Sequence, residues 1–196
     1  MIPKCTLLVS ALGLLGLLAS RPALAQRAQL AKYEKGTMQN GRKTGIWEYY
    51  GTTTTGEQVV VQRYDHDQHK LLFFRPVPYA TYLTEIKPDE WRYVQADQPP
   101  MFIGGAEALA VYTAQLAYPP EAQERMLQGK VVVTFRIDTL GQVSNYRLTQ
   151  RIGRACDEEA MRVARTIPPT WVPARMGSRA VAVEYELPFL FRMRGR

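Results

Sequence analysis

The sequence predicts an α+β fold in which a C-terminal unit of helix, two strands, helix and strand follows a small β-meander. Three observations carry that expectation. Gly129-Lys130-Val131-Val132-Val133-Thr134-Phe135-Arg136-Ile137-Asp138 is a β-branched run ending in Asp138-Thr139-Leu140-Gly141, a turn whose glycine can take a positive φ. A second run, Val143 to Thr149, follows at once, and so short a loop leaves room for little except an antiparallel hairpin. The period then changes within 157–165, where Ala160, Met161, Val163 and Ala164 share one side at helical spacing. Its acids, Asp157, Glu158 and Glu159, lie in the first turn and its arginines later, as the helix dipole favours. After the Pro168-Pro169 stop, Arg179 to Phe191 returns to alternation. Val181, Val183, Tyr185 and Leu187 fall on one face and Ala182, Glu184 and Glu186 on the other, a strand with one wet side.

Taken from the start, residues 1–25 read as an export signal. Lys4 supplies a positive n-region, Leu7 to Ala19 an apolar core, and Ala23-Leu24-Ala25 a small-x-small cleavage site before Gln26. Ser20, Arg21 and Pro22 interrupt the run before the roughly 20 apolar residues a spanning helix needs. Cys5 precedes the apolar core, where a lipoprotein signal would place its cysteine after it. On this reading the mature chain loses Lys4 and Arg21, and keeps 23 basic and 18 acidic residues. That mild charge, with no basic block interleaved with aromatics, argues against nucleic acid as a partner. Only Cys156 remains, so the fold rests on its core and not on an internal disulfide.

Residues 26–75 alternate turn residues with short aromatic or β-branched runs, the signature of a β-meander. Gly41-Arg42-Lys43-Thr44-Gly45-Ile46-Trp47-Glu48-Tyr49-Tyr50 resembles the core of MORN-like hairpin repeats, which stack as paired strands and act as spacers or docking surfaces. A single copy cannot bury its own face and must lean on a neighbour. Asp65-His66-Asp67-Gln68-His69 has metal-ligand residue types, but strand geometry would send the two histidines to opposite sides, and a solvated turn is the expectation. Residues 76–98 form a polar connector dotted with Trp91 and Tyr93 and showing little periodicity.

The third region opens at Pro99-Pro100-Met101-Phe102-Ile103-Gly104-Gly105. No Gly-Lys-Ser/Thr follows, so the glycines serve a turn into a helix over Ala106–Leu116, with Ala108, Leu109, Tyr112 and Leu116 as its apolar stripe. A helix restarts at Tyr118-Pro119-Pro120-Glu121-Ala122 with proline in its first turn, and Gly129 ends it. Catalytic and metal residues are not expected: there is no serine-centred nucleophile elbow, no zinc helix and no paired carboxylates in a cleft. Glu158 and Glu159 are explained by capping and the dipole, and Cys156 by packing at a helix start.

Tyr118-Pro119-x-Glu121-Ala122-Gln123, Gln128-Gly129-Lys130-Val131-Val132-Val133-x-Phe135, Asp138-x-x-Gly141-x-Val143, Cys156-Asp157-Glu158-Glu159-Ala160 and Trp171-x-Pro173-Ala174 together resemble the C-terminal domain of the TonB family of energy transducers. The resemblance covers about 99–193, with its landmarks in order. It implies two helices against a three-stranded antiparallel sheet. It also implies a partner, the TonB-box peptide of an outer-membrane TonB-dependent transporter, and a source of work, ExbB/ExbD-type motor proteins at the inner membrane.

The residues support such a grip independently. Pro188 has no N–H and is tolerated only on an edge or at a strand end. An edge strand is a template for an incoming peptide, which binds by β-augmentation through the main chain. The nominated docking edge is Arg179, Ala180, Val181, Ala182, Val183, Glu184, Tyr185, Glu186 and Leu187. Tyr118 and Pro119 are either a second contact, carried over from the family's tyrosine-proline motif, or a helix cap filling a gap. Such an edge also pairs with a second copy, giving a homodimer as a further partner.

Family transducers keep an N-terminal membrane helix and a long proline-rich spacer, whereas here the leader reads as cleavable and 26–98 as folded. Two functions remain open: energised transport across the outer membrane, or a periplasmic scaffold that binds envelope proteins without transducing energy. Localisation follows the leader, periplasmic after cleavage or anchored at the inner membrane by an uncleaved one.

Overall fold

The computed structural model describes residues 21–76 and 80–193. The apolar core of the expected leader lies outside them. The described part begins with α1 (Arg21–Leu30), which spans the expected cleavage site and rests Leu30 on the core. Among the described residues no helix is long and apolar enough to cross a membrane.

The expected meander is an antiparallel sheet of β1 (Glu34–Gln39), β2 (Arg42–Thr52), β3 (Gln58–Asp65) and β4 (Lys70–Phe74), in that order. Asn40 and Gly41, both at positive φ, make the tight turn that joins the first two strands. Trp47, Tyr49 and Tyr64 are buried on one face. The Trp47 indole lies against the backbone of Gly36, where any side chain would collide with the ring. Asp65-His66-Asp67-Gln68-His69 is the β3–β4 turn: Asp65 Oδ1 accepts the amides of Asp67 and Gln68, and Asp67 Oδ2 accepts that of Gly45 at 2.9 Å. His66 turns inward instead, its Nε2 sharing a 2.7 Å hydrogen bond with the Tyr49 hydroxyl.

The 76–98 segment departs from its reading as a connector. β5 (Thr81–Lys87) and β6 (Glu90–Gln95) form a hairpin that joins the C-terminal sheet. The signal was present as Pro88-Asp89 between two alternating runs, a turn dipeptide that the polar composition masked. Trp91 packs over the Arg136 guanidinium at 5.1 Å, and Tyr93 stays exposed.

Short β7 (Met101–Phe102) leads into α2 (Gly105–Thr113), then α3 (Pro120–Glu124), β8 (Gly129–Ile137), β9 (Val143–Gln150) and α4 (Arg154–Thr166). β10 (Trp171–Val172) pairs with β7, β11 (Ala174–Met176) pairs with β12 (Arg179–Val181), and β13 (Val183–Phe191) closes the fold. The run read as one strand from Arg179 is thus broken at Ala182 into two strands in different sheets. The main sheet has the order β6-β5-β13-β8-β9. Strands β13, β8 and β9 and the helices are the expected arrangement, and the hairpin adds two more strands beside β13.

Val131, Val133, Phe135 and Ile137 from β8 and Val183, Leu187, Phe189 and Phe191 from β13 are buried with Ala160, Val163 and Ala164 of α4. Phe135, Trp171 and Tyr185 form an aromatic knot, with Trp171 4.8 Å from Tyr185 and 5.5 Å from Phe135. Cys156 is fully buried in the same core, and that burial pushes its thiol pKa up, away from reactivity. The meander docks on this domain through Gln62, 2 % exposed, whose Oε1 accepts the Gly104 amide at 2.8 Å while its Nε2 donates to the Phe102 carbonyl. Glu107 of α2 accepts the Thr52 amide at 3.0 Å.

Candidate functional site

The sheet has two outer strands and one strand that is interior for only part of its length. β9, the first outer strand, is blunted by two register shifts against β8, and Asn145 sits at positive φ within it. β6, at the other end, is short and carries an Arg92–Glu90 ion pair. β13 differs from both. It pairs with β8 from Val183 to Phe191 without a shift, but with β5 only at Val183 and Glu184. Among the described residues no strand pairs with its outer side beyond Glu184.

Strand parity fixes which backbone groups face that open side. The Ala182 carbonyl accepts the Glu85 amide of β5 at 2.9 Å, so even-numbered residues point away from β8. Glu186 N–H and C=O, the Pro188 C=O, and Leu190 N–H and C=O therefore face outward. Pro188 occupies a position where no ladder N–H is needed, which is why a proline is accommodated in mid-strand. Side chains alternate as the sequence indicated. Glu186, Pro188 and Leu190 are exposed, while Leu187, Phe189 and Phe191 are buried.

The nominated residues divide accordingly. Arg179, Ala180 and Val181 are paired with β11, the Ala182 carbonyl is taken by β5, and Val183 and Glu184 lie between β5 and β8, so this half is not an edge. The cause is the hairpin that the sequence reading missed. Tyr185, Glu186 and Leu187 lead into the open half, which runs on through Pro188, Phe189, Leu190 and Phe191. Parity counted outward from Pro188 was the signal that would have found these last residues.

Tyr118 and Pro119 lie at the far end of the same open half. The Tyr118 ring meets Phe191 edge-on at 5.6 Å, and its hydroxyl donates to the Leu127 carbonyl. The preceding residue is fixed by α4: Glu159 Oε1 accepts the Ala117 amide at 2.8 Å and is gripped by Arg162, whose hydrogen bonds hold the Glu159 carboxyl below its ordinary pKa. At the near end, Tyr82 of β5 stacks on Tyr185 at 6.4 Å, and burial pushes the Tyr185 hydroxyl up to about 12. Tyr82 and Tyr185 also line an apolar cavity of about 320 Å³, together with Leu109, Pro99 and Pro100. The arrangement suits main-chain binding with one side-chain pocket. The described residues near it offer no nucleophile paired with a base.

The site's wet face is braced by cross-strand ion pairs. Arg147 of β9 reaches over β8 to Glu184 at 2.5 Å, and Arg136 of β8 reaches over β13 to Glu85 at 2.6 Å. Thr84, paired with Val183 on the opposite, core-facing side, is fully buried.

A solved structure similar to part of the chain is the NMR solution structure of the Helicobacter pylori TonB C-terminal domain, residues 179–285. It is 18% identical, with a TM-score of 0.36, and the match covers 45% of this chain and 78% of that one. No curated protein matches the chain significantly. Residues 114–193 match the family model described as the Gram-negative bacterial TonB protein C-terminal. That span takes in Tyr118, Pro119 and all of β13, so the match to the TonB C-terminal model covers the candidate site.

Proposed function

We propose that this is an envelope protein whose C-terminal domain takes up a short extended segment of an outer-membrane TonB-dependent transporter, a TonB-box peptide. The segment adds as a strand along the outer side of Glu186–Phe191 and so supports energised transport. The observation that carries this reading is the open side of β13, bounded by β5 at one end and Tyr118 at the other. Main-chain hydrogen bonds supply affinity, and the cavity under Tyr185 and Tyr82 supplies selectivity for one inward side chain. Tyr185, Glu186 and Leu187 stay in the proposed site and Pro188–Phe191 join them. Tyr118 and Pro119 flank it, and Arg179–Glu184 support it from behind. The location is the periplasm after signal-peptide cleavage, or the inner-membrane face if the leader is retained, and work comes from ExbB/ExbD-type motor proteins.

A cysteine at Leu190 tests the reading directly, because its side chain is half exposed and Cys156 is buried. In the exported protein it should form disulfides with single cysteines walked through the periplasm-facing terminal segment of the cell's TonB-dependent transporters. A transporter set that forms none would refute the proposal.

A second reading, a periplasmic scaffold without energy transduction, draws on the meander. Its MORN-like strands fold back on the domain through Gln62 and Glu107 and do not extend away as a spacer. N-terminal sequencing separates the two. A soluble protein beginning at Gln26 has no anchor against which to pull, whereas an intact leader together with loss of energised uptake on deletion supports the transducer.

A further inference from the structure

We infer that the β5–β6 hairpin is a fixed stop on the docking edge, which limits the segment the domain accepts to about six residues and sets its register. This rests on the proposed docking reading and specifies the ligand for it. The hairpin takes the outer side of β13 at Val183 and Glu184 and then leaves it, so a newcomer running in either direction meets the end of β5 at Glu186. At the other end the strand finishes at Phe191, beside Tyr118. The newcomer therefore finds partners only at Glu186, Pro188 and Leu190.

The stop is built to stay. Thr84 is fully buried, and the Glu85 amide donates to Ala182. Arg136 crosses over β13 to hold Glu85 at 2.6 Å, with both side chains mostly shielded and the Trp91 ring over the guanidinium. Tyr82 adds a stacked contact with Tyr185. A hairpin meant to be displaced by ligand would be attached by its ladder alone, whereas this one is strapped across two strands.

The test uses the full chain and a series of alternating Thr-Val peptides of four to ten residues, titrated by fluorescence anisotropy. Hydrogen exchange is followed at the Glu85 amide. Affinity should rise severalfold for each two residues up to six and then change by less than about twofold, while Glu85 keeps its protection in the complex. A plateau at six with Glu85 protected supports the stop. Affinity still climbing at eight and ten residues, or loss of Glu85 protection on binding, overturns it and leaves docking itself standing. Failure of every length to bind removes the docking reading, and the stop with it. The Arg136→Met/Glu85→Leu variant, which cuts the strap, should move the plateau beyond six; if the variant does not fold, the wild-type exchange measurement still decides.

Discussion

Replacing Leu190 by proline separates docking from folding. Leu190 has the parity of Ala182, so its N–H points to the open side and takes no part in the β8 ladder. A strand φ is close enough to proline's for the ring to be accepted there, as Pro188 already is two residues earlier. Leu190 is 49% exposed, so truncating it uncovers little core. The docked strand loses one hydrogen bond, worth about 1 kcal/mol net, and meets a pyrrolidine ring where its carbonyl would sit. Together these cost about 1–2 kcal/mol, roughly a five- to thirtyfold rise in Kd. Phe189→Pro is the control of opposite parity. It removes an N–H directed at β8 and a buried aromatic, at about 3 kcal/mol or more, which for a chain of this size lowers Tm by at least about 6–12 °C. Peptide titration and thermal unfolding of both variants are the assay. If Leu190→Pro bound as wild type does with its Tm intact, main-chain docking on this side would be wrong. If it melted like the Phe189 variant, the parity assignment would be wrong.

Other perturbations have equally definite outcomes. Gln62→Ala leaves the Gly104 N–H and Phe102 carbonyl buried without partners, costing about 2–3 kcal/mol, and calorimetry should resolve the single transition into one for the meander and one for the domain. His66 is held down to about 4 by burial, with Lys43 and His69 adding to the effect against Asp65 and Asp67. The native state thus binds fewer protons than the unfolded one below the ordinary histidine range. The resulting stability is complete above about pH 6.5 and is lost as pH falls toward 4, about 1–2 kcal/mol after allowance for the ring's partial exposure. Denaturant titrations at pH 7 and pH 4.5 should differ by that amount in wild type and by much less in His66→Gln. Glu159→Ala frees the Ala117 amide and the residue before Tyr118. It should weaken peptide binding about threefold to tenfold with Tm down by only a few degrees, read by the same two assays.

The sheet's inner strands were legible because β8 and β13 are two-period patterns of Val, Phe and Tyr with only one face that can be buried. The β8–β9 turn was legible for the same kind of reason. Asp138 Oδ1 accepts the amides of Leu140 and Gln142, and Gly141 takes φ 80°. The hairpin at 81–95 was masked, since its Pro88-Asp89 turn lies between runs carrying Thr, Glu, Lys and Arg, and its attachment to the sheet draws on Arg136, 51 positions from Glu85, which no local pattern reports. Missing it misplaced the edge: from sequence Arg179–Leu187 has the strand composition an edge requires, and only the tertiary position of β5 reveals that its first half is interior. Gln62 and Asp157 were silent in the same way. Asp157 read as a dipole acid, but it is buried and staples the β9–α4 loop through Arg151 Nε at 2.9 Å and the Ile152 amide at 3.1 Å.

The bulged β9 edge has a bearing on stoichiometry. In the language of polymer growth, a sheet with two receptive edges is a bifunctional monomer and can extend without limit, as fibrils do. Among the described residues of this sheet, β9 is bent out of register, β6 is short and charged, and the outer half of β13 is the stretch left to receive a strand. Such a unit has a functionality of one: it terminates a chain and cannot propagate it. A docked segment is consequently the last strand the sheet can accept, and complexes should stay one to one even where the domain is crowded at a membrane.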